Sequence, residues 1–527
     1  MFKVLVSDPI SDQGIQLLYD APDVQVDKRP GLSEDELVAI IGEYDALLVR
    51  SQTKVTERIM NAGDRLKVVG RAGVGVDNID LEAATKRGIV VINAPDGNTI
   101  ATCEHTFAMM MSVARSIPQA YKKTVGGEWD RKTFVGVELR NKVLGVIGMG
   151  RIGSEVAKRA KAFGMDVLGY DPFLTEERAE KIGVKLATVN EIAQQADFIT
   201  VHTPLTPETR HIIGPAQFAM MKKGVRIINC ARGGIVDELA LVDAVNQGIV
   251  AGAAFDVFEE EPPQPDHPFL NNPRIIVTPH LGASTVEAQE NVAIDVSEEV
   301  LHILRDQPFK NAVNMPAVPA NVLSKLQPYF RLSEKLGRFL GQITEGAIRE
   351  IVVNYAGELV DVDTTPLTRY IVQGVLGNRL EGVNIVNAMH LAKSREVNIV
   401  IQKATAVKSF TNLITVTLKT KAEERVAAGT LLAGYGERIV QIDQYPVDFA
   451  PEGNTLLISH NDKPGIIGRV GTLLGDNGVN IATMQVGRKV VGGSAIMVLT
   501  IDKPAPKEVL GELTKLPEIV GVREFTV

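Results

Sequence analysis

The chain opens on an exchange of two hydrophobic rhythms. Short β-branched runs, "KVLVSD", "DALLVRS", "LKVVGRAG" and "GIVVINAP", recur through residues 3–94 and end in polar residues or glycine. Between them lie stretches with helical spacing, such as "SEDELVAIIGEY" and "DLEAATKRG". Strands alternating with helices predict a parallel sheet covered on both faces. Ligands of such sheets bind beyond the carboxyl ends of the strands. Those ends are Asp8, Arg50–Ser51, Arg71 to Gly75, and Ala94 to Asn98. A long helical stretch, "NTIATCEHTFAMMMSVARSI", follows. A second alternating series starts at Lys142, with strands "KVLGVIG", "DVLGYD", "DFITVH", "VRIINCARGG", "VAGAAFDVF" and "RIIVTPH". Another long helix covers Ser284 to Arg305. The two long helices bracket the second series, so they read as crossings between two α/β domains with a cleft between them.

The rhythm changes after the proline-bearing stretch "NMPAVPANV" at 314–322, which marks a boundary. An α+β pattern follows, with "EIVVNYAGELVDVD", "VNIVIQKA" and "LITVTLKT" as strands. From Gly453 to Val527 the order is strand, helix, strand, a Gly492–Gly493 hairpin, strand, helix, strand. That βαββαβ order predicts a ferredoxin-like split βαβ.

Within the second series, Gly148, Gly150 and Gly153 of "GVIGMGRIG" fit G-x-G-x-x-G. Alone this is a weak signal, but a strand precedes it and a helix follows. That helix places Ile152, Val156, Ala160 and Phe163 on one apolar stripe. The next strand ends at Asp171, 23 residues after Gly148, close to the ~20-residue spacing of a ribose-binding acid. Each part has a physical task in holding a dinucleotide. Gly148 permits the tight turn, Gly150 lets the backbone approach the pyrophosphate, and Gly153 lets helix pack on strand. Asp171 accepts from ribose hydroxyls and repels a 2′-phosphate, which favours NAD over NADP. A similar run, "GRAGVGVD" at 70–77, lacks the following acid and reads as a backbone loop facing the cleft.

An NAD enzyme also needs a proton donor or acceptor and a group that orients substrate. Arg232, in "NCARGGIVDE", sits at a strand end where a guanidinium fork can hold a carboxylate. His280, in "IIVTPHLGAST", is placed to shuttle a proton. His202 reads instead as a hydrogen-bonded structural histidine. Glu261, in "VFEEEPP", would fix the tautomer of His280, and spacing alone leaves Glu259 and Glu260 as rivals. The bland alternatives are a surface arginine and an acidic solvated turn.

Bulk composition narrows the class. The 527 residues are 45% hydrophobic and 23% charged, ordinary for three or four globular domains. A net charge of −8 disfavours nucleic acid as a partner. Two cysteines, Cys103 and Cys230, give no disulfide framework and fit a reducing compartment. No uncharged apolar run of 18 residues is present, so no membrane span is expected. The start lacks a signal-peptide pattern, and a cytoplasmic location is expected. The eight histidines are scattered and no metal site is expected.

Together, "GMGRIG", Asp171, "NCARGG", "FDVFEEEPP" and "PHLGAS" resemble the D-2-hydroxyacid dehydrogenases. "VRSQTKVT", "GRAGVGVDNID" and "PDGNTIATCEHT" resemble the branch of that family acting on D-3-phosphoglycerate. The resemblance implies an α/β fold, with a Rossmann-type NAD domain (98–284) inserted into a flavodoxin-like substrate domain (1–97 and 285–314). Two α+β regulatory domains would follow, at 315–452 and 453–527, the last an ACT domain. It implies that Arg232 holds the substrate carboxylate, that His280 is the acid/base, and that Glu261 is the glutamate pairing with it. It further implies cofactor contacts at Val74, Arg151, Ile152, Thr203, Cys230, Ala231, Arg232, Asp256, His280, Gly282 and Ala283. Val74 is a departure, since some relatives carry threonine there.

The phosphate end would be held by Arg50, Arg71, Ser51 and Asn98, with Arg131 of "GEWDRKTF" reaching from a neighbouring subunit of a dimer or tetramer. A solvated charge run is the plain alternative for Arg131. In the tail, Asp462 opens the first helical turn and Asn480 starts a strand, with N-cap and turn roles as alternatives. The resemblance makes Asp462, Asn480 and His460 contacts for L-serine as an effector. Residues 317–450 resemble an extra domain whose basic side chains hold an anion. Two other readings remain at this stage: a reductase for glyoxylate, hydroxypyruvate or another 2-oxo acid, and an NAD-responsive binding protein without catalysis.

Overall fold

The structure, a computed structural model, describes residues 1–316, 320–404 and 410–526. Residues 317–319 of the proline-bearing boundary lie outside the described residues. Strands β1 (Phe2–Val6), β2 (Val24–Lys28), β3 (Ala46–Val49), β4 (Val68–Arg71) and β5 (Val90–Asn93) form a parallel sheet in the order β2-β1-β3-β4-β5. All four residues of β3 are buried. Burial on both faces is why these strands read as continuous Val/Leu/Ile runs without alternation. The strand order reverses between β1 and β3, and a crevice opens beyond the carboxyl ends at such a switch point.

Helix α1 (Thr99–Arg115) leads to the second sheet. It holds β6 (Val143–Ile147), then α2 (Arg151–Ala162), β7 (Asp166–Tyr170), β8 (Lys185–Leu186), β9 (Phe198–Val201), β10 (Val225–Asn229), β11 (Val250–Phe255) and β12 (Ile275–Val277). The sheet is parallel throughout, in the order β12-β11-β10-β9-β6-β7-β8. It reverses between β6 and β9, as a dinucleotide-binding sheet does. Helix α3 (Val286–Leu304) returns the chain. Cys103, Phe107 and Met110 of α1 join the core of the second sheet. Val292, Val296 and Val300 of α3 join the core of the first. The stripe expected on α2 ends at Ala160, because the helix stops at Ala162. Phe163 is 47% exposed and stacks on Phe107 at 5.3 Å instead.

Next come α4 (Phe330–Ile343), β13 (Glu350–Gly357), α5 (Thr365–Gly377), β14 (Asn398–Ala404), β15 (Asn412–Lys419), β16 (Glu424–Leu432), β17 (Gly436–Ile442) and β18 (Tyr445–Phe449). The six strands form one mixed sheet, β14-β13-β15-β16-β17-β18. The last three escape the sequence pattern, since Ala and Gly fill the middle of β16 and Pro446 sits in β18. The tail runs β19 (Asn454–Asn461), α6 (Ile466–Asp476), β20 (Ile481–Arg488), β21 (Ser494–Ile501), α7 (Lys507–Thr514) and β22 (Ile519–Thr526). Its antiparallel order β20-β21-β19-β22 is the ferredoxin-like arrangement. Among the described residues no helix is long and apolar enough to cross a membrane.

Candidate active site

The glycine turn lies at the switch point of the second sheet, between β6 and α2. Gly148 has φ 96°, and a Cβ there would come within 2.7 Å of the His202 backbone. A Cβ on Gly153 would lie 1.9 Å from the Gly148 carbonyl oxygen. Side chains at these two positions would break the turn. Gly150 is different: nothing lies within 4 Å of its Cβ position. It caps α2 with no side-chain hydrogen bond, so the helix start faces open space with free N–H groups. The Asp171 carboxylate accepts from Met149 N at 2.9 Å, within the turn itself, and from Phe173 N at 2.9 Å. Arg151 pairs with Asp96 of the first domain, and Ile152 is half-buried. Thr203 Oγ1, Asn98 Oδ1 and Thr99 Oγ1 are buried without a hydrogen-bond partner among the described residues. An open helix start, an acid at the next strand end and unsatisfied polar atoms fit a bound dinucleotide.

The three adjacent glutamates have separate partners. Glu259 Oε1 meets His211 Nε2 at 2.8 Å, and Glu260 Oε1 accepts from Gln264 at 2.9 Å. Glu261 Oε2 meets His280 Nδ1 at 2.7 Å, while its Oε1 accepts from Phe258 N at 3.1 Å. Partial burial raises the Glu261 pKa, but His280, the Phe258 amide and Arg232 together carry it below the usual carboxylate range. His280 has φ 56°, a left-handed conformation unusual for a residue with a side chain. Its loop is wrapped around Asp256, which is fully buried. The Asp256 carboxylate accepts from Thr278 Oγ1 at 2.6 Å, Leu281 N at 2.7 Å and Gly282 N at 2.8 Å. Cys230 is buried, and burial followed by the charge of Asp256 pushes its thiol far up, so it stays protonated. Ala231 donates its N–H to Asn229 Oδ1 at 3.0 Å, and Ala283 is half-buried. His202 is part-buried, with Nε2 2.9 Å from Thr200 Oγ1 and Nδ1 buried without a partner among the described residues.

Three guanidiniums approach one another where the two sheets face. Arg71 is held down to about 10 by burial, then by the charge of Arg232, with Arg50 adding and Asp77 and Asp8 opposing. Its Nε is buried with no partner among the described residues. Arg232 donates to the Ala231 carbonyl at 2.7 Å and lies 3.4 Å from Asp77. The loop 70–77 makes this possible. A Cβ on Gly73 would lie 1.9 Å from Arg71 Nη1, and one on Gly75 would lie 2.0 Å from Arg232 Nη2. The glycines read as a bare backbone loop are thus the space that two arginines occupy. Asp8 also escaped the sequence reading as a site builder. Its buried carboxylate accepts from Arg50 N at 2.6 Å and Thr53 N at 3.1 Å, which fixes the loop carrying Arg50 and Ser51. Its place at a strand end beside a polar turn was the available signal.

Other expected site residues make fewer contacts. Ser51 is exposed, and Val74 is half-buried, its carbonyl accepting from Asn93 at 2.5 Å. Arg131 sits in an exposed segment, and no hydrogen bond or ion pair joins it to the arginine cluster among the described residues. In the tail, Asp462 does not cap the helix: Gly465 is the N-cap of α6. Asp462 instead clamps the β20–β21 hairpin, accepting from Arg488 at 2.9 Å and Gly492 N at 3.1 Å. Asn480 donates to Asp502 at 2.9 Å. His460 is buried, with Nδ1 3.0 Å from the Asn461 carbonyl and Nε2 unpartnered among the described residues.

Two facing parallel sheets, a dinucleotide turn on one and a histidine–glutamate pair beside clustered arginines are the build of an NAD-dependent 2-hydroxyacid dehydrogenase. Residues 107–282 match the D-isomer specific 2-hydroxyacid dehydrogenase, NAD binding domain. Residues 325–443 match the D-3-phosphoglycerate dehydrogenase intervening domain, and residues 454–518 the ACT domain. A D-3-phosphoglycerate dehydrogenase of Bacillus subtilis is 48% identical over 525 residues, 99% of each chain. One of Methanocaldococcus jannaschii is 47% identical over 524 residues, again 99% of each. The structure of an Aquifex aeolicus D-lactate dehydrogenase complexed with NAD and lactic acid matches 58% of this chain and 96% of its own, with 28% identity and TM-score 0.51. The chain belongs to the D-3-phosphoglycerate dehydrogenase family. Its cofactor is NAD.

Proposed function

We propose that the protein oxidises D-3-phosphoglycerate to 3-phosphohydroxypyruvate, the entry to L-serine by way of phosphorylated intermediates, and that L-serine restrains it through the tail. The observation that carries this reading is the convergence of Arg50, Arg71 and Arg232 next to the His280–Glu261 pair. Three cations at one place suit a substrate with a carboxylate at one end and a phosphate at the other. Arg232 grips the carboxylate. Arg50 and Arg71, with Ser51 and Asn98, take the phosphate, and Arg131 of a second subunit can complete it. NAD supplies the hydride acceptor. His280 removes the hydroxyl proton at Nε2 while Glu261 fixes Nδ1 and stabilises the imidazolium that forms. Gly148, Gly150 and Gly153 admit the pyrophosphate, Asp171 the ribose, and the backbone around Thr203, Cys230, Ala231, Gly282 and Ala283 the nicotinamide end.

The functional units are 1–97 with 285–314, 98–284, 315–452 and 453–527. The protein works as a cytoplasmic homo-oligomer. Trp129 (83% exposed) and Val135 (84%) beside Arg131 support an interface there. In the tail, Asp462, Asn480 and His460 take part in holding L-serine.

The test follows NADH formation with D-3-phosphoglycerate, then with lactate, glycerate and glycolate, each with and without L-serine. Turnover confined to the phosphorylated acid and reduced by serine is expected. Preference for an unphosphorylated acid would support a glyoxylate or hydroxypyruvate reductase. No turnover with any acid would leave a binding protein, and turnover indifferent to serine would defeat the feedback alone.

A further inference from the structure

His105 lies on α1, is part-buried, and is used by none of the roles above. Its Nε2 is 3.2 Å from Asp256 Oδ1 and 3.3 Å from Thr278 Oγ1. These two groups hold the loop that carries His280. Thr278, Leu281 and Gly282, on both sides of His280, all donate to the Asp256 carboxylate. His280 N donates to the Asp256 carbonyl at 2.9 Å. A histidine in the left-handed region is disfavoured by about 1–2 kcal/mol, so this loop keeps its shape only while its anchor holds. The anchor is a buried carboxylate, and such a group needs its donors, since each one lost leaves charge uncompensated.

Helix α1 reaches the loop at two points one turn apart. Thr102 Oγ1 donates to the Gly282 carbonyl at 3.2 Å, and His105 meets Asp256 and Thr278. Met109, a further turn on, lies 3.9 Å from Thr278 Oγ1 through its sulfur and fills the space behind. Thr278 Oγ1 already donates to Asp256, so the proton between the imidazole and this pair comes from His105 Nε2. The same helix starts at Asn98, given above to the substrate phosphate, whose Oδ1 is buried without a partner among the described residues. It therefore links the substrate end of the cleft to the catalytic loop.

We propose that His105 is a positioning residue for the reaction: through Asp256 and Thr278 it fixes the backbone that aims the His280 imidazole. The proposal rests on the reading of His280 as the acid/base. Two substitutions separate positioning from packing. His105→Phe keeps the bulk and removes the donor. His105→Gln places an amide donor at about the reach of Nε2.

The full-length enzyme is assayed with NAD and D-3-phosphoglycerate, with NAD affinity measured by calorimetry. In His105→Phe, kcat is expected to fall about 10- to 100-fold, the worth of a hydrogen bond to a charged group. KM for substrate stays within about twofold, because Arg50, Arg71 and Arg232 are untouched, while the Kd for NAD rises only as far as the loosened Gly282 backbone weakens the nicotinamide end. His105→Gln restores most of the rate. Independently of turnover, the Leu281 and Gly282 amides exchange faster with solvent in His105→Phe and not in His105→Gln. Wild-type kcat and amide protection in His105→Phe would overturn the proposal. So would equal loss in both variants with KM raised, which is the mark of lost packing. A wild-type protein with no activity would defeat the acid/base reading, and the amide exchange would still decide whether His105 holds the loop.

Discussion

At the residue scale the site turns on how each titratable group is paired. His280 hydrogen-bonds Glu261, 19 residues upstream, at 2.7 Å, and this contact fixes which way its ring faces. His280→Asn should lower kcat by about 10²–10⁴-fold, the range of general acid–base catalysis, while NAD affinity stays near the wild-type value. Rate loss under tenfold would contradict the acid/base role. His202 has a hydroxyl, Thr200 at 2.9 Å, as its hydrogen-bond partner. Burial holds its imidazole down to about 4, against 6.5 when free. The unfolded chain therefore binds a proton between those values that the folded protein refuses. Stability is intact above the free value and is lost as pH falls through it toward the folded one. Between pH 7 and pH 5 this amounts to roughly 2 kcal/mol. Replacing His202 by Asn should remove that part of the slope. Thermal unfolding of both proteins at the two pH values measures it, and parallel slopes would count against it.

At the element scale the loop 70–77 carries the most information per residue. The sequence made it legible as a glycine loop at a strand end, but not as a cradle for side chains. Gly75→Ala pushes against Arg232 Nη2, the free end of a flexible side chain. The fold should survive while the guanidinium moves by about an ångström, and such a displacement costs on the order of 10² in kcat/KM. Unchanged kcat/KM would mean that Arg232 does not grip substrate. Arg71→Leu tests the other half of the loop. Burial and two like charges penalise this guanidinium, so its removal should leave the thermal midpoint equal or higher. KM for the phosphorylated acid should nonetheless rise at least about tenfold more than KM for an unphosphorylated one, the worth of one charge-assisted hydrogen bond. The identity of the paired glutamate is also decided at this scale. Three glutamates in a row are indistinguishable by spacing, and the turn geometry sends one to His211, one to Gln264 and one to His280.

At the scale of the whole molecule, the tail is not a bead on a string. Phe525 of β22 lies 4.9 Å from Phe339 of α4, and Leu457, Ile496 and Val498 belong to the same buried cluster as Phe339 and Phe449. The ferredoxin-like sheet thus shares one core with the domain before it. Phe525→Ala, at a site 2% exposed, should cost about 3–5 kcal/mol. The loss should appear in a single calorimetric transition covering residues 320–526. Two separate transitions, with the tail alone weakened, would show that the domains fold independently. The catalytic pair of domains is linked to this unit as well: Asn384 Nδ2 donates to the Gly88 carbonyl at 2.7 Å, and Val386 sits in the core of the first sheet.

What the sequence determined by itself is local. Runs of Val, Ile and Leu alternating with helical spacing specify parallel sheets, because burial on two faces leaves no other pattern. "GVIGMGRIG" followed by Asp171 specifies a dinucleotide turn, because its geometry is written within 30 residues. The tertiary structure decided what meets across the cleft. Arg50, Arg71 and Arg232 come from three strand ends in two sheets, and Gly73 and Gly75 take their meaning only from the guanidiniums beside them. Asp462 looks like a helix cap from its neighbours, yet the hairpin folding back over it claims its carboxylate. Periodicity is a property of a segment, so it survives in one dimension. Charge convergence and shared space are properties of distant segments brought together, and they exist only once the chain has folded.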